Sequence, residues 1–229
     1  MQLSVELKQG TKESHNAAEN GKFIAGFLRG VLNKEQYKQL LTNFYYIYSA
    51  MEVRFDKLKD DPVLSGIYFP ELHRKRAIEK DLKYYYGPTW REHICPSQAT
   101  QQYLHRIDEA PPTALIGHHY TRYLGDLSGG QILRNIAEKA LDLPKNEGLH
   151  FYDFPKIEDK KAFKTKYREG LDKVTTDTSK INDIIAEANY AFRLNMYMFD
   201  ELSGDSKDAW NSAAKVFLQT LVGAFTGGK

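Results

Sequence analysis

The stretch YTRYLGDLSGGQ at positions 120 to 131 has the character of a helix, and yet it contains three glycines. Each glycine in a helix interior costs about 0.5–1 kcal/mol relative to alanine, so this concentration requires a reason. Counting back in fours from Gly129 gives small residues at every step: Gly125, Thr121 and Gly117. Residues four apart share one helix face. The helix therefore carries a stripe that is poor in side chains, with Asp126 beside it.

This glycine stripe permits two interpretations. A broad, rigid ligand lying against bare backbone, with the carboxylate of Asp126 at its edge, requires such an arrangement. Alternatively, the glycines allow two helices to pack closely, and Asp126 pairs with Arg122 one turn earlier. A phosphate-binding loop is disfavoured, because the glycines follow no strand and match no G-x-G-x-x-G or Gly-Lys-Ser/Thr pattern.

Length and composition indicate one large domain. Of the 229 residues, 41% are hydrophobic and 13% aromatic, which is enough for a bulky core. A formal net charge of +2 gives no indication of nucleic acid or of a polybasic membrane anchor. Cys95 is the only cysteine, which excludes an internal disulfide and favours a reducing compartment. We find no signal peptide and no apolar run long enough for a membrane span, and expect a cytoplasmic protein without a membrane anchor.

Hydrophobic spacing is helical nearly everywhere, and no run alternates with a sustained period of two. Asn33 is the expected N-cap of one helix, with Gln36 completing a capping box. The predicted helices are Leu3–Glu19, Lys22–Arg29, Lys34–Leu58, Glu71–Tyr86, Ser97–Glu109, Thr113–Leu141, Asp159–Lys173, Ser179–Leu202 and Lys207–Phe225. We therefore predict an all-α, multi-helix bundle with a single domain over residues 1–229, of which 225–229 form a flexible tail.

Among the seven histidines, His15 is the candidate for a ligand. It is expected to be semi-buried on one face of the first helix, with Lys8 and Lys12 on nearly the same face. Two lysines above such a histidine would suit a flat ligand with an anionic edge and a central metal. The alternatives are a core histidine and a solvated lysine face. A di-iron site is disfavoured, because Glu-x-x-His occurs once, at Glu147–His150 in a loop, and two copies on helices are needed.

Three segments carry a resemblance to a known family. They are ELKQGTKESH at positions 6 to 15 with AEN at 18 to 20, YFPEL at 68 to 72, and the stretch at 120 to 131. On these segments, and over essentially its whole length, the chain resembles the haem oxygenases of the soluble bacterial or plastid type. It lacks the hydrophobic membrane tail of the animal members.

The resemblance implies that haem b, as both substrate and cofactor, lies between a proximal helix and a kinked distal helix. His15 would be the iron ligand, since it matches the histidine of the family's Thr-Lys-x-x-His pattern. The backbone of Gly125 and Gly129 would lie over the iron and leave room for dioxygen. The family's proton-donating network corresponds to Asp126, Arg122 and Tyr48. The implied reaction cleaves haem at the α-meso carbon to biliverdin IXα, carbon monoxide and ferrous iron, and so supplies phycobilin synthesis.

The resemblance also assigns a wider haem-binding set. Lys164 and Arg168 match the family's Phe-Lys-x-x-Tyr-Arg pattern and would hold the haem propionates. The further propionate contacts correspond to Tyr120 and Lys8, and the pocket wall corresponds to Phe192, Asn195 and Phe199. The remaining members of the set are Lys12, Glu19 and Ser128. Considered by spacing alone, the same residues are a surface charge pair and ordinary core positions.

An electron donor is required, since the chain has no flavin or nicotinamide motif. The resemblance favours a plant-type ferredoxin, and the basic clusters Arg74-Lys75-Arg76 and Lys160-Lys161 could steer an acidic partner or be solvated surface. We expect a monomer or weak dimer in the cytoplasm or plastid stroma. Two other classes stay open, because fold does not fix function: a thiaminase-like small-molecule enzyme, and a non-catalytic haem-binding protein, against which the presence of Asp126 argues.

Overall fold

The computed structural model describes residues 1–203, and all regular elements within this range are helical. Its α-helices are α1 (Leu3–Gly10), α2 (Lys12–Asn20), α3 (Lys22–Leu28), α4 (Lys34–Lys57), α5 (Lys75–Tyr86), α6 (Gln98–Glu109), α7 (Pro112–His119), α8 (Gly125–Ala140), α9 (Lys160–Asp172) and α10 (Thr178–Leu202). A π-helical segment, Tyr120–Leu124, joins α7 to α8, and short 3-10 turns lie at Ser65–Ile67, Pro70–Leu72, Trp90–Glu92 and His150–Tyr152. The prediction of an all-α fold is confirmed. The predicted helix Lys207–Phe225 and tail lie outside the described residues.

Helix α10 is the element around which the bundle is arranged. It contacts α1, α2, α3, α4, α6 and α7, and it buries apolar side chains along its whole length, among them Ile184, Leu194 and Met198. Burying one such side chain contributes about 1.5–3 kcal/mol, so this central helix accounts for much of the core. Within the described range, no helix is both long and apolar enough to span a bilayer.

Helix α4 begins where the sequence predicts. The Asn33 side chain accepts the backbone N–H of Gln36 at 2.8 Å, and the Gln36 side chain accepts the backbone N–H of Asn33 at 3.4 Å. This reciprocal capping box satisfies two N–H groups that a helix terminus otherwise leaves without partners. The predicted cap is confirmed.

The predicted first helix, Leu3–Glu19, is divided at Thr11. Thr11 has φ −105° and ψ 2°, and its hydroxyl donates to the carbonyl of Leu7 at 2.7 Å. A threonine that bonds back to a carbonyl four residues earlier tends to bend a helix. A separate helix, α2, starts at Lys12, and none of its residues is buried.

The predicted helix Glu71–Tyr86 also starts late, at Lys75. Glu52 of α4 accepts the backbone N–H of Arg74 at 2.5 Å and that of Lys75 at 2.9 Å. A carboxylate on the first N–H groups of a helix stabilises a start at that position. Residues Pro70–Leu72 form a separate 3-10 turn before it.

A polar triad of buried Glu187, buried His118 and half-buried Arg106 connects α6, α7 and α10. Glu187 accepts hydrogen bonds from Arg106 Nε at 2.7 Å and from His118 Nε2 at 2.8 Å. These bonds lower the pKa of Glu187 to about 2, although burial acts in the opposite direction. The ionised carboxylate therefore holds three helices together.

Candidate active site

The two halves of the glycine stripe have different surroundings. A Cβ added at Gly117 would lie 2.7 Å from the backbone nitrogen of Ala188, and the Thr121 hydroxyl donates to the Ala188 carbonyl at 3.3 Å. Among residues 1–203, a Cβ added at Gly125 or Gly129 would meet nothing within 4 Å apart from the local helix backbone. The first half therefore serves packing against α10. The second half borders open space, as a ligand lying on bare backbone requires.

The irregularity expected in this helix lies just before the open glycines. We refer to α7, Tyr120–Leu124 and α8 together as the glycine helix, because they follow one another without interruption. The π-helical character is confined to Tyr120–Leu124, whereas Gly125 has ordinary helical angles, φ −61° and ψ −52°. A π segment accommodates an extra residue in a helix and is frequent at functional sites. Within this π segment Thr121, Arg122 and Tyr123 are buried. Gly125, the first residue after it, is exposed.

A buried polar cluster lies beside the open half of the stripe. Asp126 accepts the Tyr48 hydroxyl through Oδ2 and Arg122 Nη2 through Oδ1, the latter at 3.2 Å. Arg122 Nε donates to the Tyr48 hydroxyl oxygen at 2.9 Å. Only 10% of the Asp126 side chain is exposed, so the three groups satisfy one another away from bulk water. The structure thus brings together the three side chains predicted to form the network.

The electrostatics of this cluster differ from those of a surface ion pair. Burial raises the pKa of Asp126, and the Arg122 charge and the Tyr48 hydrogen bond act in the opposite direction. Burial would lower the pKa of Arg122, but Tyr48 and Asp126 outweigh it, so the guanidinium stays charged. Burial raises the pKa of Tyr48 well above its ordinary value, so Tyr48 remains a hydrogen-bond donor. A carboxyl group with raised proton affinity, held beside open space, is suited to holding and passing on a proton.

The cluster extends into α10 and α6 through residues whose part in it the sequence did not reveal. Arg122 Nη1 donates to Asn195 Oδ1 at 3.0 Å, and Asn195 Nδ2 lies 3.4 Å from the Tyr103 hydroxyl. Asn195, which the resemblance assigns to a pocket wall, is a buried partner of Arg122, and its place in a pocket wall stays a prediction. Tyr103 was not predicted at all, since a tyrosine at core spacing on a helix gives no sequence signal of a polar role.

His15 lies on the exposed helix α2. The expectation that it is semi-buried is wrong: 56% of its side chain is exposed, because the division at Thr11 leaves α2 without a buried residue. Its Nδ1 lies 3.8 Å from Glu19 Oε2. Its ring meets that of Phe192 on α10 edge to face, with centroids 5.9 Å apart. Three predicted site residues are therefore neighbours.

The four predicted cations occupy three helices. Lys8 belongs to α1 and Lys12 to α2, whereas Lys164 and Arg168 belong to α9, which packs against α1. None of the four forms an ion pair within residues 1–203. Burial raises the pKa of Tyr120, while Thr11 and the charge of Arg168 lower it, so Tyr120 lies within electrostatic reach of Arg168.

The two remaining predicted site residues, Phe199 and Ser128, lie on two helices that both pack against α3. Phe199 is buried on α10 and stacks on Phe23 of α3, with centroids 5.8 Å apart and an interplanar angle of 15°. Ser128 is exposed on α8, and α3 contacts both α8 and α10. The predicted residues therefore come from α1, α2, α4, α8, α9, α10 and the π segment, all within one bundle.

Comparison with known proteins identifies the family of this chain. A family model described as heme oxygenase matches residues 1–201. The heme oxygenase of Guillardia theta is 48% identical over 203 residues, which cover 87% of this chain and 86% of the relative. The crystal structure of heme oxygenase-1 from Synechocystis sp. in complex with heme gives a TM-score of 0.87 at 46% identity, and covers 95% of this chain and 100% of that one. The structure of heme oxygenase from Leptospira interrogans gives 0.84 at 45% identity, over 88% and 100% of the two chains. This chain therefore belongs to the haem oxygenase family.

Proposed function

We propose that this chain oxidises haem b to biliverdin IXα, carbon monoxide and ferrous iron, with dioxygen and electrons from a partner protein. The observation that carries the proposal is the open backbone of Gly125 and Gly129 beside the buried carboxyl group of Asp126. Close packing against α10 explains the small residues Gly117 and Thr121. It does not explain the glycines at positions 125 and 129. A storage protein would need the space but would have no use for a buried proton donor next to it.

The residues proposed for the haem site are chemically suited to haem. The flat face of a porphyrin can approach Gly125 and Gly129 because a Cβ is absent from both positions. Phe192 supplies an aromatic side chain next to His15. The four predicted cations, which form no ion pair within residues 1–203, suit the two propionates. Bound haem supplies the iron that activates dioxygen and the porphyrin carbon that is oxidised.

His15 is proposed as the iron ligand. Its Nδ1 is the nitrogen that faces Glu19, at 3.8 Å, so Nε2 is left to bind the metal. A carboxylate near the second ring nitrogen of a metal-bound histidine orients the ring and raises its basicity. Exposure on α2 makes the imidazole accessible to an incoming ligand. A neutral imidazole, unlike a thiolate, does not strongly promote cleavage of the O–O bond.

Asp126 is proposed to hold a water molecule at the open half of the stripe and to pass a proton into that space. Tyr48 and Arg122 each bind one carboxylate oxygen of Asp126, which fixes the orientation of its side chain. Asn195 holds Arg122 from the other side. The network would hold a proton at the Asp126 carboxyl group beside the space that haem would occupy, and bound haem would supply the oxygen chemistry.

The cationic side chains are proposed to fix the rotation of haem within its plane. Haem is nearly symmetric in outline, so an apolar slot alone does not select one rotation. Charged hydrogen bonds from Lys164 and Arg168 do so, because each is worth about 1.5–3 kcal/mol where partly desolvated. We refer to Lys164 and Arg168, together with Tyr120 and Lys8, as the clamp. With haem bound, this clamp would select the α-meso carbon for oxidation.

A plant-type ferredoxin is the proposed electron donor. The basic cluster suggested for its docking requires one correction: Arg74 is buried, and its guanidinium donates to backbone carbonyls that include that of Leu72 at 2.9 Å. Arg76 and Lys161 are exposed and available to an acidic partner. Arg76→Glu and Lys161→Glu should slow turnover with ferredoxin and leave turnover with dithionite unchanged. Equal rates with ferredoxin for wild type and both variants would remove this surface from the proposal.

Titration of the purified protein with haem, followed by addition of reductant, tests the function. A Soret band that is lost as a bilin spectrum develops, with carbon monoxide released, supports the proposal. A stable Soret band without reductant-dependent turnover would indicate a haem-binding protein without catalysis. Absence of any Soret band would leave the thiaminase-like alternative. A parallel assay with ferredoxin and with a flavin reductase identifies the donor.

A further inference from the structure

A buried hydrogen bond connects the glycine helix to α9. His119 is the last residue of α7, and its Nδ1 lies 2.7 Å from the hydroxyl of Tyr167 on α9. The two rings are stacked, with centroids 5.5 Å apart and an interplanar angle of 9°. Only 3% of His119 and 1% of Tyr167 are exposed. The contact is therefore both directional and shielded from water.

Neither partner is charged. Burial, with a smaller contribution from His73, lowers the pKa of His119 to about 3. Burial raises the pKa of Tyr167 well above its ordinary value. The His119 ring is also held by Phe55, at 4.5 Å between centroids, and by Tyr123, at 4.4 Å. A neutral hydrogen bond between two rings fixed by packing does not change over the physiological pH range, which suits a mechanical role.

The position of this bond matters because of the residues that follow it. Tyr120 comes directly after His119 and opens the π segment, and Arg168 comes directly after Tyr167. The charge of Arg168 acts on Tyr120, so the two neighbours of the bond face a common region. A second contact holds α9 two residues after Arg168. There the backbone of Gly170 meets that of Gly66 so closely that a Cβ added to Gly170 would collide with it.

We infer that His119 and Tyr167 are positioning residues, whose hydrogen bond sets the place of α9 relative to the glycine helix and thereby the in-plane rotation of haem. The inference rests on the proposed function, because it acts through the clamp residue Arg168. His119 and Tyr167 themselves need not touch haem. The alternative is a purely structural hydrogen bond, whose loss lowers stability and leaves haem orientation unchanged.

A pair of variants separates these two roles. Tyr167→Phe leaves the Nδ1 of His119 buried without a partner, which lowers stability. His119→Phe combined with Tyr167→Phe removes both polar groups, so stability should recover at least in part, while the connection stays broken. A positioning role predicts that both proteins bind haem in two rotations. The expected loss in the preference for one rotation is about two- to tenfold, which is the effect of removing one net hydrogen bond.

Two measurements follow the rotation of haem. Proton NMR of the haem methyl groups in the reconstituted protein counts the rotations before any turnover, and chromatography of the product counts the biliverdin isomers. Tyr85→Phe is the matched control, because it removes a buried hydroxyl of α5 that has no hydrogen-bond partner within residues 1–203. This control should retain one rotation and one isomer. Thermal unfolding of each apo-protein gives the stability.

The outcomes distinguish the inference from the function on which it rests. The inference is supported if the single and the double variant both show a second rotation while the melting temperature of the double variant recovers. It is overturned if either shows one rotation only, or if the second rotation disappears as stability recovers. Replacing Lys164 and Arg168 by alanine completes the comparison. If that protein gives a mixture and Tyr167→Phe does not, the positioning inference alone fails. If that protein also gives a single isomer, the proposed clamp fails and the inference fails with it.

Discussion

Replacing Gly129 by alanine should stabilise the protein and weaken haem binding. Gly129 lies in a helix, and an added Cβ would meet nothing within 4 Å in the described part of the chain apart from the local helix backbone. In the proposed complex, the same methyl group would stand in the space that haem occupies. Gly117→Ala is the matched control, because Gly117 belongs to the same stripe but faces Ala188 in α10.

The structure predicts opposite effects of the two substitutions on the stability of the apo-protein. At Gly129 the helix preference of alanine acts alone, in favour of folding by about 0.5–1 kcal/mol. For a chain of this length, one kcal/mol corresponds to about 2–4 °C in Tm. At Gly117 the added Cβ would lie 2.7 Å from the Ala188 nitrogen and 3.0 Å from the Glu187 carbonyl carbon. Forcing these helices apart costs about 1–3 kcal/mol, which outweighs the gain in helix preference.

Two assays decide the matter. Circular dichroism during heating of the apo-proteins should give a higher Tm for Gly129→Ala and a lower one for Gly117→Ala. Titration with haem should give a Kd for Gly129→Ala that is about five- to a hundredfold higher than that of the wild type, if the steric penalty is similar to that of overpacking a core. A lower Tm for Gly129→Ala would contradict the open space. A raised Tm with unchanged haem affinity and turnover would mean that haem does not lie on this backbone.

Four further predictions concern the iron ligand, the proton network, the clamp and the polar triad around Glu187. His15→Ala should keep part of its haem affinity and lose almost all turnover, and added imidazole should partly restore both; bilin formation at the wild-type rate would remove His15 as the iron ligand. Asp126→Ala should bind haem nearly normally and stop forming biliverdin, whereas a surviving bilin yield would reduce Asp126 to an ion-pair partner. Replacing both Lys164 and Arg168 by alanine should weaken haem binding modestly and give several biliverdin isomers on chromatography; a single isomer would assign the choice of carbon to the pocket walls. The pKa of Glu187 is about 2 in the folded protein, below its ordinary value of 4.5, because its hydrogen-bond donors outweigh its burial. Its stabilisation is therefore fully present above pH 4.5 and is lost as the pH falls towards 2, so acid unfolding of Glu187→Gln should depend less on pH in this window, and an identical slope would contradict the assignment.

Helix α4 illustrates what local sequence can predict. Both members of its capping box, Asn33 and Gln36, lie within four residues, so the start of the helix was visible without any tertiary information. The predicted end, Leu58, is one residue beyond the observed end at Lys57. Hydrophobic periodicity and capping act over a few residues, and a single sequence contains all the partners involved.

The start of α5 shows where such local reasoning fails. Its first N–H groups are accepted by Glu52, which belongs to α4, and the sequence offers no sign that these two segments meet. The contacts that extend the polar cluster through Asn195 and Tyr103 could not be predicted for the same reason, because their members come from different helices. The exposure of His15 depended on the break at Thr11, where a single side-chain hydrogen bond competes with continuation of the helix.

The sequence by itself determined the helical class, the family resemblance, and the fact that Gly117, Thr121, Gly125 and Gly129 share one face. These follow from residue type and from the period of the helix, which is a local property. Only the tertiary structure decided that Gly117 meets α10 while Gly125 and Gly129 border open space. The period of a helix places residues on a face, but which part of that face is covered depends on where a remote helix crosses it. That crossing is set by packing of the whole bundle, in which α10 contacts α7 and the π segment from a distant part of the chain.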